Sequence, residues 1–391
     1  MLLTLPQETL YEIIAHLRGE ERALQSLALV DRRLTEECRR LLFSSIHVDS
    51  TTKFVRLTLA ISPEGDGLSR YVRLLSLEGE ELCSLAFLRN HLFTLRSFTQ
   101  LEHLKIRPLE LTWFENGANE MAHYLGHFPN VRSVHIQPIG SHHQTLLDFL
   151  ALFPLLETTV ITSPYIWPGA LRIPNFVCRG NLVLRACKVG DVNEIFPFFT
   201  RPTTTRYRSV GFEYVSVFDF SPFEHFFGTC GSSLESIHFI NCLISVSIFP
   251  ETLLSTLTNL RDIALSLRFV RNNPDVATIL SSITSTKIDS VTLIIWDCYY
   301  PNDLENFCSR WTSIENALCR LSGLRRRAEC EGKVVLNVHF VDRRCAIDVL
   351  GLAERGEFMP RFQEGGVVKV ETRTKDVNHV VSSIVPEEFR C

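Results

Sequence analysis

Residues 234–265 read LESIHFINCLISVSIFPETLLSTLTNLRDIAL. One pattern opens and closes this stretch: Leu234, Ile237 and Phe239, then Leu260, Ile263 and Leu265, an apolar residue followed three and five positions later by two more. Residues two apart share one face of an extended strand, so each copy predicts a short strand with a buried side. Between them Glu251 to Leu257 has helix-like spacing. Strand, loop, helix and return describes a parallel crossover.

The same pattern occurs as Val72, Leu75, Leu77; Leu101, Leu104, Ile106; Val131, Val134, Ile136; and Ile288, Val291, Leu293. Weaker copies lie at Leu156 to Ile161, Leu182 with Leu184, Tyr207 to Phe212 and Leu336 to Phe340. The central residues fall at 75, 104, 134, 159, 182, 210, 237, 263, 291 and 336, giving steps of 29, 30, 25, 23, 28, 27, 26, 28 and 45. Helix-like segments also lie between strands at Leu85 to Phe98, Glu120 to Phe128, Gln144 to Phe153 and Pro274 to Ile283. The step of 45 contains Leu304, Phe307, Trp311, Ile314, Leu318 and Leu321 on one helical face, so a helical insertion is expected near 302–321. Arg344 to Ala353 suggests another helix and Val367 to Glu371 a last strand.

From Tyr71 to Phe340 this array resembles leucine-rich repeats, whose period is about 20 to 29 residues. The resemblance implies an α/β solenoid with a parallel sheet on the concave side. It also implies a buried Asn or Cys three residues past the second strand Leu, a place held here by Cys187 and Cys242 only. Side chains alternating with the core ones should face outward. On that rule the candidate substrate-binding residues are Lys105, Arg107, His135, Gln137, Glu213, His238, Ser266, Thr292 and His339, beside Glu78.

The N-terminus has a different period. Thr4 and Gln7 have capping-box spacing, Pro6 suits a first helical turn, and Leu10, Ile13, Ile14 and Leu17 form one apolar face, with Gly19 able to end the helix. Glu20 to Leu29 reads as a second helix, and Asp31 can cap a third carrying Leu34, Cys38, Leu41 and Leu42. Leu5, Pro6, Glu8, Leu10, Ile13, Leu17, Leu27, Leu29, Val30, Arg32, Arg33, Leu42 and Phe43 follow the order and spacing of an F-box, with Leu34 near the family's common Trp. The stretch therefore resembles the F-box family. That resemblance implies docking on a Skp-type adaptor, and through it on a cullin, by Leu5, Pro6, Glu8, Leu10, Ile13, Leu17, Leu27 and Val30. The rest of the chain would then choose a protein substrate.

The chain of 391 residues is 45% hydrophobic and 21% charged, enough apolar material to fold. A net charge of −4 supplies no field for nucleic acid or an anionic membrane. No apolar run has the length of a membrane span and no signal peptide is expected. The 12 cysteines are irregularly spaced without a Cys-x-x-Cys, which favours reduced thiols and a cytoplasmic or nuclear location over disulfides or a structural zinc.

No phosphate loop, nucleophile elbow or metalloprotease helix occurs. His142 and His143 are adjacent and point apart, which suits a helix start better than joint metal ligation. Phe196, Phe198, Phe199, Phe218, Phe220, Phe223, Phe226 and Phe227 read as repeat core rather than as an aromatic ligand box. The organisation expected is an F-box over 1–48, a linker over 49–70, the solenoid of about ten strands over 71–341, and a cap and tail over 342–391. The leading expectation is a non-catalytic substrate receptor of a cullin–RING ubiquitin ligase, needing neither cofactor nor metal. The alternatives are a repeat scaffold whose first helices only cap the array, and a hydrolase with a dispersed site.

Overall fold

The computed structural model describes residues 6–61, 67–79, 82, 97–110, 128–163, 165–167, 178–186, 205–217, 221–244, 252–267, 276–295, 304–340, 358–364 and 366–372. In chain order the first half holds α1 (Gln7–Ala15), α2 (Glu21–Val30), α3 (Arg32–Leu42), β1 (Ser45–Val48), α4 (Thr51–Ala60), a 3-10 turn (Leu68–Tyr71), β2 (Leu74–Glu78), β3 (His103–Glu110), β4 (Ser133–His142) and α5 (His143–Leu150). Then come β5 (Thr158–Thr162), β6 (Tyr165–Trp167), β7 (Cys178–Arg185), β8 (Thr205–Glu213), β9 (Ser216–Val217), α6 (Ser221–Cys230), β10 (Ser236–Ile240) and β11 (Leu243–Ile244). The chain continues through β12 (Asp262–Leu267), α7 (Val276–Ser281), β13 (Ser290–Ile295), α8 (Leu304–Arg327), β14 (Val334–Phe340), α9 (Pro360–Gln363) and β15 (Gly366–Thr372). Two compact units result, Met1–Leu156 with Tyr165–Arg172, and Glu157–Pro164 with Ile173–Cys391.

In the first unit β1, β2, β3 and β4 pair side by side and β6 pairs with β4, all parallel. Ile46 pairs with Leu75, Leu75 with Leu104, and Leu104 with Val134, so the pattern's central residues stack in one row. Leu75, Leu104 and Val134 are buried. The row begins a repeat earlier than the sequence suggests. Ser45–Val48 is a strand of the sheet, and the stretch read as a linker carries α4, started by the Ser50 hydroxyl, which accepts from the Lys53 N–H. Phe54, wholly buried, is the apolar residue of α4 that makes this segment part of the core.

The second unit is an α/β body on a parallel sheet ordered β5, β7, β8, β10, β12, β13, β14, β15. The central residues are again in register across it: Thr159 with Leu182, Leu182 with Val210, Val210 with Ile237, Ile237 with Ile263, Ile263 with Val291, and Val291 with Leu336. Val368 continues the row in β15. Behind it Phe212 stacks on Phe239 at 5.2 Å, and Phe223, Phe226 and Phe227 of α6 pack onto them as buried core.

Repetition extends to both strand ends. Ser163, Ala186, Tyr214 and Asn241, each following its strand, have left-handed φ between 40° and 55°. The N–H of the first three donates to the carbonyl of Arg185, Glu213 and Ile240 on the next strand, at 2.7 to 2.9 Å. At the entry side, two residues before each centre, Arg208, Glu235, Arg261 and Asp289 alternate in sign. Arg208 meets Glu235 at 2.9 Å and Arg261 meets Asp289 at 3.4 Å. Such exposed pairs add little energy each. Skipping one strand would set like charges against one another, so the alternation favours the observed strand order.

Other expectations change in detail. Helix α1 has Pro6 as its N-cap with no side-chain cap bond, and Thr4 lies outside the described residues. Gly19 stands in the turn after α1 with φ +93°. Glu251 to Leu257 is not a helix: residues 252–256 are turns, Leu257 N–H reaches back only three residues to Leu254, and the Ser255 hydroxyl ties itself to the Thr252 carbonyl. A side chain bonding its own backbone competes in this way with helix. The insertion helix α8 runs six residues past Leu321, to Arg327, and Trp311, Ile314, Leu318 and Leu321 are buried on one face as expected. The segments 83–96, 111–127, 341–357 and 373–391 lie outside the described residues, with the helices expected at Leu85, Glu120 and Arg344.

Candidate functional site

Two surfaces emerge from these elements, one in each unit. In the first unit, α1, α2 and α3 close on a small core of Leu10, Ile14, Leu24, Leu34 and Cys38, flanked by Tyr11, Leu17, Leu27, Ala28, Leu41 and Leu42. The Asp31 carboxylate accepts from the Arg33 N–H at 2.9 Å and starts α3. Arg33 beside it holds the Asp31 carboxyl below its ordinary range. The unit is tied to the 3-10 turn by the Tyr71 hydroxyl, which donates to Glu36 at 2.5 Å, and by Arg70, which reaches the same carboxylate.

Among the residues expected to dock an adaptor, Pro6, Glu8, Ile13 and Val30 are exposed, and Leu17 and Leu27 are half-buried. Leu10 is a correction: at 3% exposure it belongs to the three-helix core, because the α1 face that carries it and Ile14 turns toward α3. Leu5 lies outside the described residues. Leu29, 90% exposed beside Val30 at 71%, is the largest apolar group left in water here.

The outward face of the first unit's sheet aligns His47, Ser76, Lys105 and His135 in one row. Lys105 and His135 are buried, contrary to the expectation of solvated groups, because neighbouring strands stand close enough to cover them. Lys105 Nζ and Arg107 Nη2 each lie 2.8 Å from Glu78 Oε1. Burial would raise the Glu78 carboxyl, but these two cations outweigh it and bring it to about 2. Gln137, half-buried, sits where the register between β3 and β4 shifts.

In the second unit the outward face has successive rows. The first is Asn181, Ser209, Ser236, Asp262 and Ser290, one residue before each centre. The second is Gly211, His238, Ala264, Thr292 and Asn337, one residue after it. His238 thus stands between a glycine and an alanine, and a cavity of about 490 Å³ opens over these rows, with Arg208 and Glu235 at its rim. His238 and Thr292 are the residues here expected from the sequence to face outward, and the first row is not among them. The signal was present, since alternation places the residue before each centre on the same face as the one after it.

Within the cavity Ser236 Oγ lies 2.8 Å from His238 Nε2, and Ser290 Oγ donates to Asp262 Oδ1 at 2.8 Å. His238 Nδ1 and Ser209 Oγ are buried with no partner. Burial lowers the His238 imidazole to about 3 and pushes the Asp262 carboxyl up, in the latter case against the Ser290 hydrogen bond. His238 and Glu213, like Lys105 and His135, are buried where exposure was expected. Further along, Arg185 Nε meets Glu213 Oε2 at 2.6 Å, and Ser266 donates to Asn241 at 3.3 Å. His339 is half-buried in register with Ile294.

Among the described residues no group of three or more His, Cys, Asp or Glu could hold a metal ion, and no helix is long and apolar enough to cross a membrane. The sequence matches no protein-family model and no curated protein.

Proposed function

We propose that this chain is the substrate-recognition subunit of a cullin–RING ubiquitin ligase. Its three N-terminal helices dock on a Skp-type adaptor, and a leucine-rich-repeat-like solenoid presents a protein target. The chain carries out no chemistry of its own. The observation that carries the reading is the apolar surface of the helical unit: Pro6, Ile13, Leu29 and Val30 stay exposed although the core beneath them is complete. Leu29 and Val30 are consecutive, and adjoining exposed apolar residues beside a filled core support a docking surface.

The repeat reading is supported by the in-register central residues and by Cys242. Its Sγ–H donates to the Phe212 carbonyl at the end of β8, so the side chain at that repeat position satisfies a backbone group of a neighbouring strand. The test is co-purification of the full chain with a Skp-type adaptor, which should be captured by the wild type and lost on charging the exposed apolar residues.

The hydrolase alternative draws on Ser236 and His238, which are within hydrogen-bond reach. Activating a serine needs an imidazole that is basic near neutrality and oriented by an acid. His238 has no acid on Nδ1 and is held at about 3, so the pair fits a structural hydrogen bond. The scaffold alternative draws on the Tyr71 and Arg70 bonds to α3. These join the helices to the sheet through polar groups and leave the apolar surface uncovered.

A further inference from the structure

Several of the hydrogen-bond donors in and beside the cavity of the second unit are already in use. Asn181 Nδ2 donates to Thr158 Oγ1, Ser290 Oγ to Asp262 Oδ1, and Asn337 Nδ2 to Thr292 Oγ1. The rim cation Arg208 is held by Glu235. The acceptors left open among the lining residues are the amide oxygen of Asn181 and the second oxygen of Asp262, with the hydroxyl of Ser209 able to accept as well as donate. Ser209 is 7% exposed and His238 5%, and Ser209 Oγ and His238 Nδ1 both lack a partner, so buried polar atoms wait here for a ligand to complete them.

Charge points the same way. Arg208 pairs with Glu235, leaving Asp262 as the lining carboxylate without an ion pair among the described residues. Burying a carboxylate is costly unless it is paired. A volume of about 490 Å³ is within the range of ligand sites and is larger than a single ion needs.

We infer that this cavity receives the guanidinium of an arginine side chain presented by the protein partner. A guanidinium carries five N–H donors in a planar fork and no acceptor, which complements an acceptor-rich site around one carboxylate. Asp262 takes the charge, Ser209 and Asn181 accept from the remaining N–H groups, and the short side chain of Ala264 in the lining leaves space for the guanidinium. An ammonium, with three donors on a point, would leave part of this set unsatisfied. The inference rests on reading the outward face as the partner-binding surface and is independent of the adaptor.

The test is calorimetric titration of the full-length chain with the peptide Gly-Ser-Arg-Ser-Gly and with the same peptide carrying citrulline, which keeps the shape and removes the charge. The arginine peptide should bind at least tenfold more tightly than the citrulline peptide. Asp262→Asn should abolish that preference, and Ala264→Leu, which fills the cavity floor, should weaken arginine-peptide binding at least tenfold. Melting curves establish that each variant is folded, and the Leu variant reads the cavity should loss of the Ser290 bond unfold the Asn variant. Equal binding of both peptides, no binding at millimolar concentration, a lysine peptide as tight as arginine, or a folded variant that binds like wild type would each overturn the inference. Adaptor capture, measured separately, would be unaffected by any of these results.

Discussion

The thiol of Cys242 donates to the carbonyl oxygen of Phe212, 3.2 Å away and thirty residues earlier in the chain. Burial pushes the thiol up to about 12, so it remains protonated, and a donor, throughout the physiological range. Cys242→Ala should cost about 1 to 3 kcal/mol in urea unfolding, because it strands a buried carbonyl. Cys242→Asn, which restores a donor of similar size, should recover most of that loss. An alanine variant as stable as wild type would remove this bond from the account of the repeat.

Ile263 and Ala264 are neighbours on β12 with opposite duties. Ile263 is buried in the row of central residues, so Ile263→Ala should destabilise the chain by about 2 to 5 kcal/mol. A cost under about 0.5 kcal/mol would place Ile263 outside the core and shift the strand by one residue.

Gly180 in β7 has φ +82°, and a Cβ there would lie 2.2 Å from the Glu157 carbonyl oxygen. The register between β7 and β8 shifts at this residue. Gly180→Ala should therefore lower stability by more than the roughly 1 to 2 kcal/mol that a left-handed backbone alone costs a residue with a Cβ. An alanine variant that melts with the wild type would show that the β7 backbone relaxes at no cost.

His238 makes stability depend on pH. Its folded pKa of about 3 lies below the ordinary 6.5, so between those values the unfolded chain binds a proton that the folded chain does not. Stability from this group is complete above pH 6.5 and falls as pH drops toward 3, by up to about 1.4 kcal/mol per pH unit. His238→Gln should flatten that part of a stability-against-pH curve. An unchanged slope from pH 6 to 4 would mean that the imidazole is hydrated.

The ten central residues from Leu75 to Leu336 were legible in the sequence because each must be apolar or small enough to be buried, and burial leaves a period. The β1–α4 repeat is hard to see in sequence because Ile46 and Val48 alone are too short a pattern, and Thr51 to Ala60 reads as helix or strand alike. The first outward row escaped for another reason: Ser209, Ser236 and Ser290 are polar residues of the most ordinary kind, and only strand pairing brings them over one cavity. Leu10 was misplaced because an apolar stripe on a helix has one periodicity whether it faces a partner or its own core, and only the packing of α1 on α3 separates Leu10 from Ile13.

The most direct test of the central claim is capture of a Skp-type adaptor by the full-length chain, wild type against Ile13→Asp with Val30→Asp. Both positions are exposed, so the substitutions should leave the fold and its melting temperature in place. Apolar anchors at an interface are commonly worth about 2 kcal/mol or more each, so capture should weaken at least tenfold. A wild-type chain that fails to capture the adaptor, or a folded double variant that captures it equally well, would contradict the account.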